Sequence, residues 1–235
     1  MNNIIAVIAA HPDDEILGCG GTIAEHVKAG DEVHVLILAE GVTSRDNQCD
    51  RYAHVPELSE LVEAAHSANK ILGTTSLTME SLPDNRLDSL NRLDIVKIIE
   101  AFVEKHQPTT TYTHHAGDVN IDHRIIHEAV VTACRPVPGR IVRTLLFFEI
   151  ASSTEWQTSG SAPFFCPNWF VDISETLDKK LEALQAYHSE MRSWPHARSV
   201  EALEHLARWR GATVGVEAAE AFILGRNITR MENIR

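Results

Sequence analysis

The sequence predicts an α/β fold of the Rossmann-like, doubly wound kind, a mostly parallel sheet with helices on both faces and a helical C-terminal third. Three observations carry this. "IIAVIAA" (4–10) and "EVHVLILAE" (32–40) are apolar, β-rich runs. Between them "GTIAEHVKAG" has helical spacing and closes on Gly30, which makes a βαβ unit with a right-handed crossover. Further on, β-rich runs keep alternating with helical stretches.

The remaining elements follow in order. "ELSELVEAAHSANKIL" (57–72) reads as a helix stopped by Gly73, and a second helix covers about 91–106. "TTTYTHH" (109–115) reads as a strand, and "DHRIIHEAVVTACR" (122–135) as a helix broken by Pro136. "TLLFFEI" (144–150) and "WFVDIS" (169–174) are further strands. The last third holds two helices, 175–191 and 199–211, the second with Ser199 as a candidate N-cap. There is no repeat, low-complexity tract or linker that cuts the chain, so one domain over 1–235 is expected. The longest loops, 41–56 and 151–168, are of a length that often carries function in such folds.

Bulk composition narrows the function. At 235 residues the chain can bury one sizeable core, and 44% hydrophobic with 23% charged residues is ordinary for a soluble globular protein. A net charge of −12 argues against nucleic acid or an anionic membrane as partner, since both select basic surfaces. It leaves open a phosphorylated or nucleotide-linked small substrate, which a local basic pocket can hold. Cys19, Cys49, Cys134 and Cys166 are scattered with no CxxC pair, so neither a zinc ribbon nor a disulfide framework is expected, and a cytoplasmic location is. Residues 4–10 are too short to span a membrane and follow no basic stretch, so no signal peptide or anchor is expected.

The chemistry gathers at two places. "HPDDE" follows the first strand and "THHAGDVNIDH" follows the strand around Tyr112, so both sets fall at the carboxyl edge of the sheet, where doubly wound folds bind ligands. Acids crowded at a strand end repel one another and are costly to desolvate unless a cation sits among them. His11 and Asp14, three residues apart across a Pro-containing turn, can ligate one ion, and a third ligand, best His123, completes a His2Asp set that suits zinc with an open position for water. Asp13 is then left beside the metal as a candidate general base. The bland alternative is a helix entry, with Pro12 in the first turn and the acids capping it. His26, His34, His66, His106, His127, His188 and His205 fall within expected helices or strands without clustering and read as structural. The glycines of "LGCGGT" (17–22) invite a nucleotide-binding reading, but "HPDDEI" separates them from the strand. They are better explained by close helix–sheet packing or backbone approach to the site.

These residues resemble a known family. "AAHPDDEILGCGGTIAEH" looks like the signature of the zinc-dependent PIG-L/LmbE-like deacetylases, which remove N-acetyl groups from N-acetylglucosamine-containing compounds. The resemblance continues through "LPDNRLD", "THHAGDVNIDHR", "EIASSTEW", "PHARSVEAL" and "RGATVGVEAAEAF". It implies one zinc on His11, Asp14 and His123, with Asp13 as general base, and a Rossmann-like fold. One departure stands out: many members have histidine where this chain has Asn120. Asparagine can donate to an oxyanion but cannot shuttle a proton at neutral pH. The acid for the leaving amine is then Asp13 itself or one of His114, His115 and His196. Asp122 is a candidate to orient an imidazole. For substrate contacts Asp84 suits sugar hydroxyls, Arg45 or Arg51 a phosphate or carboxylate, and Asn85, His196 and Arg198 lie on loops able to reach the site.

The expectation is a zinc amidohydrolase of an N-acetylated amino sugar, free or as a nucleotide or lipid conjugate, in a chain that can form homo-oligomers. The competing expectation is a non-catalytic sugar- or nucleotide-binding α/β protein with a structural metal. A structural metal needs closed coordination and no spare carboxylate, so Asp13 separates the two.

Overall fold

Residues of the first strand alternate between two apolar layers, and that alternation sets the architecture. In the computed structural model, which describes residues 2–45, 51–139 and 141–229, strand β1 spans Ile4–Ala9 and leads into helix α1, Asp14–Lys28. Strand β2 (Glu32–Ala39), helix α2 (Val55–Leu72) and strand β3 (Ser76–Leu82) follow. Next come α3 (Arg92–His106), β4 (Thr110–His114), α4 (Ile121–Ala133) and β5 (Thr144–Phe148). The chain ends with β6 (Trp169–Asp172), α5 (Leu177–Ala186), α6 (Val200–Ala212) and β7 (Ala219–Asn227). These strands make one seven-stranded sheet in the order β3-β2-β1-β4-β5-β7-β6. The first five strands in that order pair in parallel, while β7 is antiparallel to both β5 and β6.

Ile5, Val7 and Ala9 belong to the layer that includes residues of α1, α2 and α5, and Ala6, Ile8 and Ala10 to the layer of α3 and α4. A strand buried on both faces cannot be amphipathic, which is why residues 4–10 are apolar throughout. The doubly wound, mostly parallel fold is therefore as expected. Two strands lacked a legible signal. β3 is an edge strand of half-buried residues, and β7 opens with alanines and glutamates that suit a helix equally well. The C-terminal third is thus helical only through α6, after which β7 returns to the sheet between β5 and β6.

Helix α1 also starts earlier than its periodicity shows, at Asp14, and bends at Cys19, whose backbone is non-helical (φ −151°). The bend lies inside the glycine run, and the glycines have the packing role expected of them. A Cβ on Gly18 would stand 2.5 Å from the Phe148 ring, and one on Gly21 2.7 Å from Ile173. Buried Lys180 and Glu220 pair at 2.6 Å beside this helix; Lys180 Nζ donates to the Leu17 carbonyl, and Glu220 accepts the Gly21 and Thr22 amides. At α6 the Ser199 hydroxyl accepts the Ala202 amide at 3.0 Å, so the expected N-cap is formed. Among the described residues no helix is long and apolar enough to cross a membrane.

Candidate active site

The carboxyl ends of β1 and β4 stand side by side in the sheet, so the two His/Asp segments meet. Asp13 precedes α1 with φ 107°, a region that L-residues enter at a cost of about 1–3 kcal/mol. Its carboxylate caps nothing, and neither does that of Asp14, whose Oδ2 instead accepts the His11 amide at 2.8 Å. The helix-entry explanation of these acids therefore fails. Their carboxylates belong to the site.

His11 Nδ1 and His123 Nε2 each lie 3.2 Å from Asp14 Oδ2. These three side chains form a group whose ligand atoms all fall within 4.8 Å of one another. The outer nitrogens of the two rings also face carboxylates. His11 Nε2 is 3.1 Å from Asp122 Oδ2 and 3.2 Å from Asp84 Oδ1, and His123 Nδ1 is 3.2 Å from Asp118 Oδ1. Carboxylates behind metal-binding imidazoles fix tautomer and ring orientation. Buried His123 makes no hydrogen bond through either ring nitrogen, so its Nε2, aimed at Asp14, is an orphaned donor site. A divalent cation would satisfy it, and the His2Asp donor set suits zinc.

The electrostatics agree. Burial alone would lower both histidines, but the bonds to Asp122, Asp14 and Asp84 hold His11 well above its ordinary value. Likewise Asp14 and Asp118 bring His123 up to about 9 against its burial. Burial also opposes ionisation of Asp14 and Asp84, yet the neighbouring imidazoles keep Asp14 well below the usual range and Asp84 at about 2. The cage is negative enough to collect protons on its imidazoles, which is the field a dication needs. Asp13 behaves differently: burial raises it well above the usual range, against the pull of Arg198.

A cleft of about 180 Å³ opens onto this group, lined in part by His11, Asp13, Asp14, Asp84, Asn85, Asn120, His123 and Arg198. Asn120 is the N-cap of α4, where its Oδ1 accepts the Asp122 amide at 2.8 Å, which leaves Nδ2 to donate. Asp122 Oδ2 also accepts the Asn85 amide, and its Oδ1 that of Leu87, so it is a fixed support for His11. Asp84 is more tightly engaged than a sugar-binding role suggests, since it accepts the Ser44 amide and Asn85 Nδ2 as well as facing His11. Arg198 points inward, but it pairs with Asp13 Oδ2 at 2.9 Å.

Other expected residues do not reach the cleft. His114 is fully buried, stacks on His123 at 4.0 Å and accepts the Ala10 amide through Nε2. Burial holds it well below its ordinary value, so it is a neutral wall. His196 Nδ1 accepts the Arg198 amide, and His115 Nε2 is engaged by the Pro163 carbonyl at 2.9 Å. The side chains of Arg45 and Arg51 lie outside the described residues.

Two residues that matter had no sequence signal of their own. Asp118 is buried, accepts the hydroxyls of Ser153 and Thr154, and supports His123. Glu15 lies beneath Asp13, accepting its amide at 3.2 Å and bonds from Tyr187 and Asn69. Burial raises it to about 7. Only the density of acids in "HPDDE" and "GDVNIDH" hinted at either.

Against known proteins, the PIG-L family (GlcNAc-PI de-N-acetylase) matches residues 6–134. The uncharacterized deacetylase YaiS of Escherichia coli K12 is 28% identical over 191 residues, 79% of this chain and 90% of that protein. A probable N-acetyl-alpha-D-glucosaminyl L-malate deacetylase 2 of Bacillus anthracis is 27% identical over 188 residues, 79% of this chain and 80% of that one. Among solved structures, GalB, the 4-carboxy-2-hydroxymuconate hydratase of Pseudomonas putida KT2440, superposes with a TM-score of 0.77 at 22% identity, covering 100% of both chains. That last likeness is one of fold.

Proposed function

The chain belongs to the PIG-L (GlcNAc-PI de-N-acetylase) family of deacetylases, and from that premise we propose that it is a zinc-dependent hydrolase of the N-acetyl group of an amino sugar, such as an N-acetylglucosamine derivative. The observation that carries the reading is Asp13, a buried carboxylate held in the cleft at φ 107° and left over after His11, Asp14 and His123 are assigned to a metal. A closed structural metal site has no use for a strained, spare carboxylate beside it.

Zinc on His11, Asp14 and His123 would supply Lewis-acid polarisation of the amide carbonyl and a more acidic water. Asp13 takes the proton of the attacking water. Arg198 holds Oδ2 of that carboxylate, so the second oxygen, Oδ1, is left for the transfer. Asn120 Nδ2 donates to the carbonyl oxygen as charge develops there. Asp13 then returns its proton to the leaving amine, because His114, His115 and His196 are engaged elsewhere.

Acetate release from N-acetylglucosamine derivatives, measured with zinc-loaded wild type beside Asp13→Asn, tests this. The variant should lose about 10²–10⁴-fold in kcat while binding one zinc per chain. Equal turnover by the two proteins would sink the base assignment. Zinc binding without acetate release from any such sugar would favour a binding protein.

A further inference from the structure

Asp13 serves as a base only while its carboxylate points into the cleft, and its backbone is not one that aspartate keeps by itself. A φ of 107° is a conformation that L-residues rarely adopt. Left alone, residue 13 would turn back to negative φ and carry its Cβ, with the carboxylate, to another side of the chain. Something must hold it. The Asp13 carbonyl is fixed by α1, where it accepts the Ile16 and Leu17 amides at 3.0 and 2.9 Å. The Asp13 amide donates to Glu15 Oε2 at 3.2 Å. With amide and carbonyl both anchored, the left-handed turn between them is closed.

Glu15 is wholly buried, and its other oxygen, Oε1, accepts the Tyr187 hydroxyl at 2.6 Å and Asn69 Nδ2 at 3.0 Å. These partners come from two other helices: Asn69 lies on α2, and Tyr187 is the residue that closes α5. Asn69 Nδ2 is steadied in turn by the Ala65 carbonyl at 3.0 Å. Burying a carboxylate so completely is unfavourable, and an apolar side chain would serve packing alone better. Tyr187 also reaches Asp13 by a second route. Its carbonyl accepts the Glu190 amide at 2.8 Å, and Glu190 Oε2 lies 3.9 Å from Arg198 Nη1, which holds Asp13 Oδ2 at 2.9 Å. Both the amide and the carboxylate of Asp13 are thus connected to one buried tyrosine.

We propose that Glu15, fixed by Tyr187 and Asn69, is a positioning residue that holds Asp13 in its left-handed turn and so aims its carboxylate at the cleft. The proposal rests on the reading of Asp13 as base given above. Glu15 orients that base and transfers no proton itself.

Three variants of the full, zinc-loaded chain test this. Glu15→Leu fills the space without an acceptor, Glu15→Gln keeps one carbonyl oxygen able to face the Asp13 amide, and Tyr187→Phe removes only a hydroxyl. They are compared with wild type and with Val103→Ala, which thins the core under α3 on the other side of the sheet. Acetate release from N-acetylglucosamine derivatives, zinc content, the urea midpoint and a crystal structure are recorded for each. Glu15→Leu should lose about 10- to 100-fold in kcat, as a reacting group misplaced by about an ångström does, with KM and one zinc per chain kept. Glu15→Gln and Tyr187→Phe should lose less but measurably, while Val103→Ala, at a comparable fall in urea midpoint, keeps wild-type kcat. In crystals of Glu15→Leu, residue 13 should leave φ 107° and its contact with Arg198 should break. That change in a chain whose wild type releases acetate from no sugar would support the positioning while refuting the deacetylase. An unchanged φ in Glu15→Leu, a kcat loss no larger than that of Val103→Ala, or zinc lost in parallel with kcat would each overturn the positioning. Should Glu15→Leu not fold, Tyr187→Phe decides: a fall in kcat at unchanged KM supports the proposal, and wild-type kcat overturns it.

Discussion

At the scale of single residues, the site is a set of carboxylates sorted by what faces them. Asp14 faces ring nitrogens of both His11 and His123, the position of a ligand in the proposed metal site. Asp84, Asp118 and Asp122 face the outer nitrogens and are supports. Asp13 faces Arg198 and the cleft, and is the proton carrier of the proposed reaction. Residue type and spacing make His11, Asp13, Asp14 and His123 legible in the sequence itself. Asp118 was not legible, because nothing local distinguishes an acid that turns inward to an imidazole from one that solvates a loop. Its role gives a sharp expectation. Asp118→Asn keeps the shape but removes the charge behind His123, and should weaken zinc binding about 10- to 100-fold. Competition against a chromophoric chelator measures this directly. Unchanged affinity would mean that His123 is held by packing on His114 alone.

At the scale of elements, the glycine run of α1 decides how closely that helix approaches its neighbours. Replacing a helical glycine by alanine gains up to about 1 kcal/mol in propensity. Here the added methyl at Gly18 would meet Phe148 at 2.5 Å and at Gly21 would meet Ile173 at 2.7 Å. Overpacking of that kind costs about 1–3 kcal/mol, so the clash outweighs the propensity. Gly18→Ala and Gly21→Ala should each lower the urea midpoint. Because Phe148 packs on His114, which stacks on His123, Gly18→Ala should also lower zinc affinity, whereas Gly21→Ala should not. A raised midpoint for both would show that α1 shifts freely. The sequence assigned these glycines to close helix–sheet packing or backbone approach to the site. It could not say which partner each one touches, since Phe148 and Ile173 are remote in the chain.

At the scale of the whole molecule, two groups of histidines oppose each other in pH. His34 and His106 lie 4.0 Å apart, ring to ring, and burial keeps both below their ordinary value. They fold neutral, so the stability they contribute is present above the unfolded pKa of about 6.5 and is lost as pH falls through their folded values. His123, raised to about 9, does the reverse in the metal-free protein: its contribution is full below about 6.5 and is lost as pH rises toward 9. Through His123 the metal-free chain should therefore lose stability as pH rises from about 6.5 toward 9. Zinc should remove the alkaline decline, because the metal takes the place of the proton. Urea midpoints at about pH 5.5, 6.5 and 8.5, with chelator and with zinc, check the shape. An alkaline decline equally steep with zinc would contradict the assignment of His123 as ligand.

The sequence by itself determined the alternation of strands and helices, the buried βαβ start, the meeting of two His/Asp segments at one sheet edge, and the His/Asp group proposed to hold a metal. These are local or periodic properties, and burial on both faces of β1 and of Val35–Ala39 in β2 leaves an unbroken apolar record. Tertiary structure alone decided the rest. It set β7 antiparallel between β5 and β6, made Asp84 and Asp122 supports of His11, took His114 and His196 out of the cleft, and turned Arg198 onto Asp13. Each of those outcomes depends on which remote group a side chain meets, and a contact between residues as distant as Asp13 and Arg198 leaves no trace in the spacing around either.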